Sequence, residues 1–152
     1  MSKGFYVVTV TGSVSTAITL IQIKAAAAIP LEIVRASVAQ YSSTTSAMQA
    51  VALVRKSSAA TVTSFTPIKL DEQDGAAGAV GGTSATGVIG TFEGVDTDFV
   101  LRDAFNVLNG WLYLPVPEER IRVAGGGIIG LTFPVAPSGA ISISGEVVFK
   151  EL

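Results

Sequence analysis

The sequence contains no cysteine and no histidine, and charged residues make up only 14% of its 152 positions. Without cysteine the chain can form no disulfide, no zinc–thiolate site and no cysteine nucleophile. Without histidine it lacks the usual acid–base group near neutral pH and the commonest metal ligand. Serine and threonine are abundant, but a nucleophilic serine normally needs a base, and no lysine stands in a suitable context. We therefore expect a protein that is not an enzyme, with no catalytic residues and no cofactor.

The low charge content also bears on the surface of the protein. Soluble domains usually contain about 25% charged residues, and a domain of this size exposes roughly 7,000 Å² as a monomer. Small apolar and hydroxyl residues could cover that surface in an ordinary monomer, but we favour burial against other subunits. The net charge is −2 and the ten Lys and Arg are scattered. That distribution predicts no nucleic-acid partner and no anionic membrane partner.

The amino-terminal stretch MSKGFYVVTVTG enters a polar–apolar alternation at once and contains no signal-peptide core. The stretch AAAAIPLEIV (25–34) is short and includes Pro30 and Glu32, so it cannot span a bilayer. We expect a protein that is synthesised in the cytoplasm and does not enter a membrane.

Alternation with a period of two runs through most of the chain. The clearest strand is 140–151, where Ile141, Ile143, Val147 and Phe149 share one face. Further strands are predicted at 5–12, 17–24, 31–40, 48–56, 60–66, 120–123 and 127–133. In the strand at 31–40, the pattern places Val34, Ala36 and Val38 on the inner face. The stretch 48–56 also allows a helix, but its neighbours favour a strand.

Turn signals separate these runs at short intervals, among them Asn109–Gly110 and the stretches 41–46, 115–119, 124–127 and 136–139. One short helix is predicted at 98–108, because Leu101, Phe105 and Leu108 are spaced at i, i+4 and i+7. The length suits a single domain over 1–152 with no internal repeat. We predict an all-β, antiparallel β-sandwich of the jelly-roll type, with at most one short helix.

The segment 71–94 does not follow the strand pattern. It contains seven Gly and four Ala and shows no period, so it is predicted to be a long loop within the domain. It is either a flexible spacer or an arm that becomes ordered only against a neighbouring subunit, where glycine permits close backbone contact. We favour the arm, because Val88, Ile89 and Phe92 are too apolar for a solvated linker; Val80 joins them as a predicted interface residue.

No stretch has the spacing of a known ligand site. The glycine-rich residues 75–90 lack the Lys-Ser/Thr ending of a phosphate loop. The stretch DEQDG (71–75) lacks the alternating ligands of a calcium loop. Glu93, Asp96 and Asp98 could together bind a hard cation, but a solvated acidic turn is the simpler interpretation. Glu118 and Glu119 follow Pro117 and are interpreted as turn residues, so we assign no metal site.

Trp111 and Tyr113 alternate with Leu112 and Leu114 in the stretch GWLYLP. Two aromatic rings on one strand face could stack on a sugar. The simpler interpretation is packing in the core or at a subunit interface, where aromatic side chains are common. Trp111 and Tyr113 are therefore included among the predicted interface residues.

Two stretches resemble small structural proteins encoded among the head genes of tailed bacteriophages. They are FNVLNGWLYLPVPEERIRVAGGGIIGLTFP (105–134) and AQYSSTTSAMQAVALVRKSSAATVTSFTPIKL (39–70), and the resemblance extends over roughly residues 31–150. It implies a β-rich auxiliary head protein, or decoration protein, which binds the major capsid protein, often forms trimers and stabilises the shell. It implies location on the capsid surface of the virion and supplies no site residue.

The function expected from the sequence is therefore a structural virion protein that decorates the capsid lattice as a homotrimer. A carbohydrate-recognising module of a head fibre or receptor-binding protein, and a structural tail protein, are the alternatives. The lack of candidate catalytic residues and the small number of charged residues agree with all three functions. Only the identity of a binding partner or ligand distinguishes them.

Overall fold

The computed structural model describes residues 4–57, 63–83 and 96–152. Apart from one 3₁₀ turn at Pro117–Glu119, the regular structure of these residues consists of β-strands. The strands are β1 (Phe5–Val14), β2 (Ile18–Lys24), β3 (Leu31–Gln40), β4 (Met48–Lys56), β5 (Thr63–Phe65), β6 (Ile68–Lys69), β7 (Val80–Thr83), β8 (Asp96–Asn106), β9 (Trp111–Tyr113), β10 (Arg122–Val123), β11 (Ile128–Phe133) and β12 (Ile141–Glu151).

The strands form two antiparallel sheets. Sheet A has the order β10-β3-β12-β1-β6, and β9 pairs with β3 beside β10, so β9 and β10 together form one edge. Sheet B has the order β5-β7-β2-β11-β4-β8. The side chains between the two sheets form the hydrophobic core.

The pairing is nested along the chain, and this identifies the topology. The first strand pairs with the last, β1 with β12, and the second pairs with the last but one, β2 with β11. Next inward, β3 pairs with β9 and β10, and β4 pairs with β8. A long hairpin rolled into two sheets produces this order, which is the jelly roll. The all-β sandwich predicted from the sequence is confirmed.

The predicted inner face of β12 is confirmed. Ile141, Ile143, Val147 and Phe149 are between 0% and 6% exposed. The prediction for β3 is correct for Ala36 and Val38, which are buried, but wrong for Val34, which is only half-buried. The reason is a bulge: Val148 lies opposite Arg35 while Phe149 lies opposite Ile33, so Val34 is the extra residue and Ile33 takes the core position.

The helix predicted at 98–108 is wrong, because this segment forms β8 and pairs along its length with β4. A spacing of four residues places Leu101 and Phe105 on one face of a strand as well as of a helix, so this pattern did not separate the two. Leu108 lies beyond the strand and is exposed. Among the described residues no helix is long and apolar enough to cross a membrane.

The chain passes from β8 in sheet B to β9 in sheet A through the predicted Asn109–Gly110 turn. The Asn109 N–H donates to the Asn106 carbonyl at 2.9 Å. Gly110 has a φ of +73°, a conformation that other residues adopt only at a cost. This short turn brings β8 and β9 together at the same side of the sandwich.

The connection from β4 to β8 contains β5, β6 and β7, and these strands extend the sheets at the opposite side, where β6 pairs with β1 and β7 pairs with β2. The structure therefore differs from the loop predicted at 71–94, because Val80–Thr83 form a strand. Residues 84–94 lie outside the described part of the chain.

Three contacts hold this connection against the sandwich. A Cβ on Gly81 would lie 2.7 Å from the Phe65 carbonyl oxygen and 2.9 Å from Val8 Cγ2, so the missing side chain lets β7 approach sheet A. The Tyr6 hydroxyl donates to the Gly75 carbonyl at 3.0 Å. The buried Glu151 carboxylate accepts the Ala79 N–H at 2.8 Å. These contacts attach the connection to the sandwich at Gly75, Ala79 and Gly81.

Candidate interaction surface

The described residues contain no group of three or more His, Cys, Asp or Glu that could bind a metal. Of the three acids considered for a cation, Asp98 is exposed on β8 and Glu93 lies outside the described residues. In the loop 71–75, the Lys69 ammonium donates to the carbonyls of Glu72, at 3.2 Å, and Asp74, at 2.8 Å. The Lys69 ammonium thus occupies two backbone carbonyl oxygens of this loop that could otherwise bind a metal cation.

Trp111 lies inside the sandwich and is 7% exposed. It pairs with Val38 on β3, and its indole N–H donates to Asp103 Oδ2 at 3.1 Å. Its ring stacks on Tyr113, with centroids 6.3 Å apart and an interplanar angle of 8°. In this chain Trp111 is a core residue, so it presents no open ring face to a sugar or to another subunit.

Asp103 joins the edges of the two sheets. Its Oδ2 atom accepts the Trp111 indole N–H from β9, and its Oδ1 atom accepts the backbone N–H of Ala104 at 2.8 Å. β8 is the edge strand of sheet B in the described residues, and an edge N–H that is already bonded cannot pair with a foreign strand. Asp103 therefore fixes β9 beside β8 and blocks edge pairing at Ala104.

The pKa of the Tyr113 hydroxyl lies above its ordinary value of 10.0, first because burial disfavours the phenolate and second because the Glu119 carboxylate repels it. The folded protein retains this proton more strongly than the unfolded chain does. The resulting stability is fully present below pH 10.0 and is lost as the pH rises through the folded-state pKa.

We expect wild-type protein to lose more free energy of unfolding between about pH 9 and about pH 11 than the Tyr113→Phe variant, which has no phenol to ionise there. Urea titrations at several pH values in this range measure the difference. Tyr41→Phe removes an exposed phenol and is the matched control. Equal pH dependence in wild type and Tyr113→Phe would contradict the raised pKa of the Tyr113 hydroxyl.

Four exposed apolar side chains lie along the β9 side of the sandwich. Leu112 and Leu114 are 61% and 64% exposed, and they alternate with the inward-facing Trp111 and Tyr113. Val116 is 55% exposed and lies two residues further along extended chain, while Leu108 is 47% exposed before β9. We call these four side chains the β9 ridge.

A second apolar group lies at the other edge of sheet A, where β6 pairs with β1. Phe5 on β1 is 40% exposed, and next to it Ile68 and Leu70 are 53% and 57% exposed. We call these three side chains the β6 patch. Val80, one of the predicted interface residues, is 53% exposed on β7, where it lies opposite Lys24 on the outer face of sheet B, apart from the β6 patch. The other predicted interface residues, Val88, Ile89 and Phe92, lie outside the described residues.

Between these two groups, the outer face of sheet A forms a groove of about 420 Å³. The hydroxyl side chains of Thr9, Thr11, Ser37 and Ser144 line it, with Leu112 at its β9 side. Glu146 also lines the groove and forms an ion pair with Arg35 at 2.6 Å. Hydroxyl groups donate and accept hydrogen bonds, so the groove can bind a polar surface. The Glu146 carboxylate, the one described carboxylate in the groove, is paired with Arg35.

The sequence pattern indicated two faces of β9 but could not identify which of them faces the core. Both faces carry large hydrophobic side chains, Trp111 and Tyr113 on one and Leu112 and Leu114 on the other. The one available signal was size, since the larger aromatic rings bury more area and take the core positions.

Comparison with protein-family models, curated proteins and solved structures finds no match to this chain.

Proposed function

We propose that this chain is a structural virion protein that decorates the capsid surface of a tailed bacteriophage, binding the major capsid protein and associating as a homotrimer. The resemblance of residues 39–70 and 105–134 to phage head proteins motivates the phage assignment and the number three. The proposed protein is synthesised in the host cytoplasm, uses no cofactor and acts through surface contact alone.

One observation best supports this proposal: exposed apolar side chains gather at both edges of one sheet of a jelly roll. Single exposed apolar residues are normal on a monomer, but grouped ones mark interaction sites. The β9 ridge and the β6 patch are such groups. The jelly roll itself is used by viral capsid domains, and also by lectins and cupins, so the fold alone does not select the function.

Binding to heads assembled without this protein tests the proposal. We expect the purified chain to co-sediment with undecorated heads in a saturable manner at micromolar concentration, and to raise the temperature at which packaged heads release DNA. Heads that already contain the protein are the control, because their sites are occupied. Absence of saturable binding to undecorated heads would contradict the decoration function.

The groove on sheet A favours carbohydrate recognition as a second candidate function. Its four hydroxyl side chains could hydrogen-bond a sugar chain, although Trp111 is not available to stack on one. Binding to isolated host-cell surface polysaccharide, together with no binding to undecorated heads, would support this second candidate in place of the first.

A further inference from the structure

One row of side chains crosses the whole outer face of sheet A. Arg122 on β10 lies opposite Glu32 on β3, and Glu32 lies opposite Lys150 on β12. Lys150 in turn lies opposite Phe5 on β1, whose carbonyl accepts the Leu70 N–H at 2.9 Å. Directly opposite residues share a face, and the neighbouring residues of these strands point into the core. The row is therefore charged at its β10 end and apolar at its β6 end.

The charges at the β10 end do not balance. The buried Glu32 carboxylate lies 3.2 Å from Arg120 Nη1 through Oε1 and 3.5 Å from Arg122 Nε through Oε2. The Arg122 side chain is still 72% exposed, and Arg120 Nε is buried without a hydrogen-bond partner. The Lys150 ammonium lies 5.5 Å from the centroid of the Phe5 ring and forms no ion pair with a carboxylate of the described residues. Three cations thus surround one carboxylate.

The apolar end of the row continues into the next row of the same face. Phe5 and Leu70 belong to the β6 patch, and Ile68, its third member, lies opposite Val7. Val7 lies opposite Val148, and both valines are buried although they point outward from the core. These five side chains form one apolar surface across β6, β1 and β12, and it adjoins the cationic cluster along β12.

The two halves of this face select the chemistry of a partner. Arginine binds carboxylates well, and the unbalanced positive charge attracts acidic groups. Nucleic acids and sulfated polysaccharides are anionic, but they would leave the apolar half uncovered. A peptide segment with acidic and apolar side chains matches both halves. The row spans four strand spacings of about 4.8 Å, and the resulting length of about 19 Å equals about six residues of extended chain.

We propose that this end of the outer face of sheet A docks an acidic, apolar segment of the major capsid protein. The inference rests on the proposed decoration function and names its contact surface. Carboxylates of the segment pair with Arg122 and Lys150, while its apolar side chains cover Phe5, Ile68 and Leu70. The buried Glu32 carboxylate holds the Arg122 side chain in position for this pairing.

A double variant removes the charge of this face. Arg122→Gln with Lys150→Gln leaves Arg120 paired with Glu32, so circular dichroism should show folded protein. Lys24→Gln with Arg102→Gln is the matched control, because it makes the same change of net charge at two exposed residues of sheet B.

A second double variant removes the apolar half. Ile68→Thr with Leu70→Thr replaces two exposed side chains by a residue that is compatible with a strand. Val80→Thr is its control, because Val80 is similarly exposed on the outer face of sheet B.

Fluorescence anisotropy measures the binding of a short labelled peptide with glutamates in one half and leucines in the other. We expect wild type and both controls to bind it, and each double variant to bind it at least about tenfold more weakly. Added salt should weaken the binding of wild type more than that of the charge variant. A peptide with lysines in place of the glutamates should not bind.

A wild type that does not bind the glutamate–leucine peptide, or double variants that bind it as tightly as wild type does, would overturn the inference. Binding of dextran sulfate without binding of the peptide would identify a polyanion site in its place. Binding to undecorated heads is measured separately for every variant. Equal head binding by wild type and both double variants retains the decoration function and removes this surface from it. Peptide binding without head binding retains the acidic–apolar specificity of the face and removes the decoration function.

Discussion

Replacing Ile143 by alanine is expected to lower the free energy of unfolding by about 2–5 kcal/mol, which is a large part of the stability of a domain of this size. Ile143 is 0% exposed on β12, between Gly12 on β1 and Gln40 on β3. Truncation removes buried methyl and methylene groups and leaves a cavity between two sheets that cannot collapse fully around it. A urea or guanidinium titration measures the change.

Ser142→Ala is the matched control for this experiment. Ser142 is the preceding residue on β12 and points to the outer face, where it is half-buried. Its backbone N–H donates to Ser42 Oγ at 2.7 Å, and the substitution leaves that bond in place. We expect a change below about 0.5 kcal/mol. Similar losses for Ile143→Ala and Ser142→Ala would show that the assignment of the two faces of β12 is wrong.

The sequence predicted the sandwich because most strands of this chain have one buried and one more polar face. On β12 the alternation of Ile141, Ile143, Val147 and Phe149 with polar residues specifies the strand and its orientation together. The prediction failed where the period is ambiguous or interrupted. Leu101 and Phe105 satisfy the helical and the strand period equally, and the bulge at Val34 depends on pairing with β12, which the local sequence does not encode.

The interaction surface was less predictable than the fold, because it depends on where distant segments meet. The β6 patch exists only because the connection from β4 to β8 places β6 beside β1. The composition of 71–94 suggested a loop, whereas Gly81 permits a strand by allowing close contact with Val8 and the Phe65 carbonyl. The sequence identified Val80 as an apolar interface residue, but its position beside β2 follows only from the tertiary structure.

The second large effect is expected at Trp111, where replacement by alanine should lower the free energy of unfolding by about 3–5 kcal/mol. The substitution removes the 7%-exposed indole, its stacking on Tyr113 and its hydrogen bond to Asp103. Trp111→Phe should cost less, because it keeps most of the buried ring and loses mainly the N–H donor. Both variants are measured at a concentration at which light scattering shows monomers, so that association does not add to the measured stability.

Leu112→Ala is the matched control, because Leu112 is the next residue on β9 and is 61% exposed on the opposite face. Under the same conditions its cost should stay below about 0.5 kcal/mol. A loss of stability from Leu112→Ala comparable to that from Trp111→Ala would mean that the two faces of β9 are assigned the wrong way round, and the β9 ridge would no longer be available for assembly.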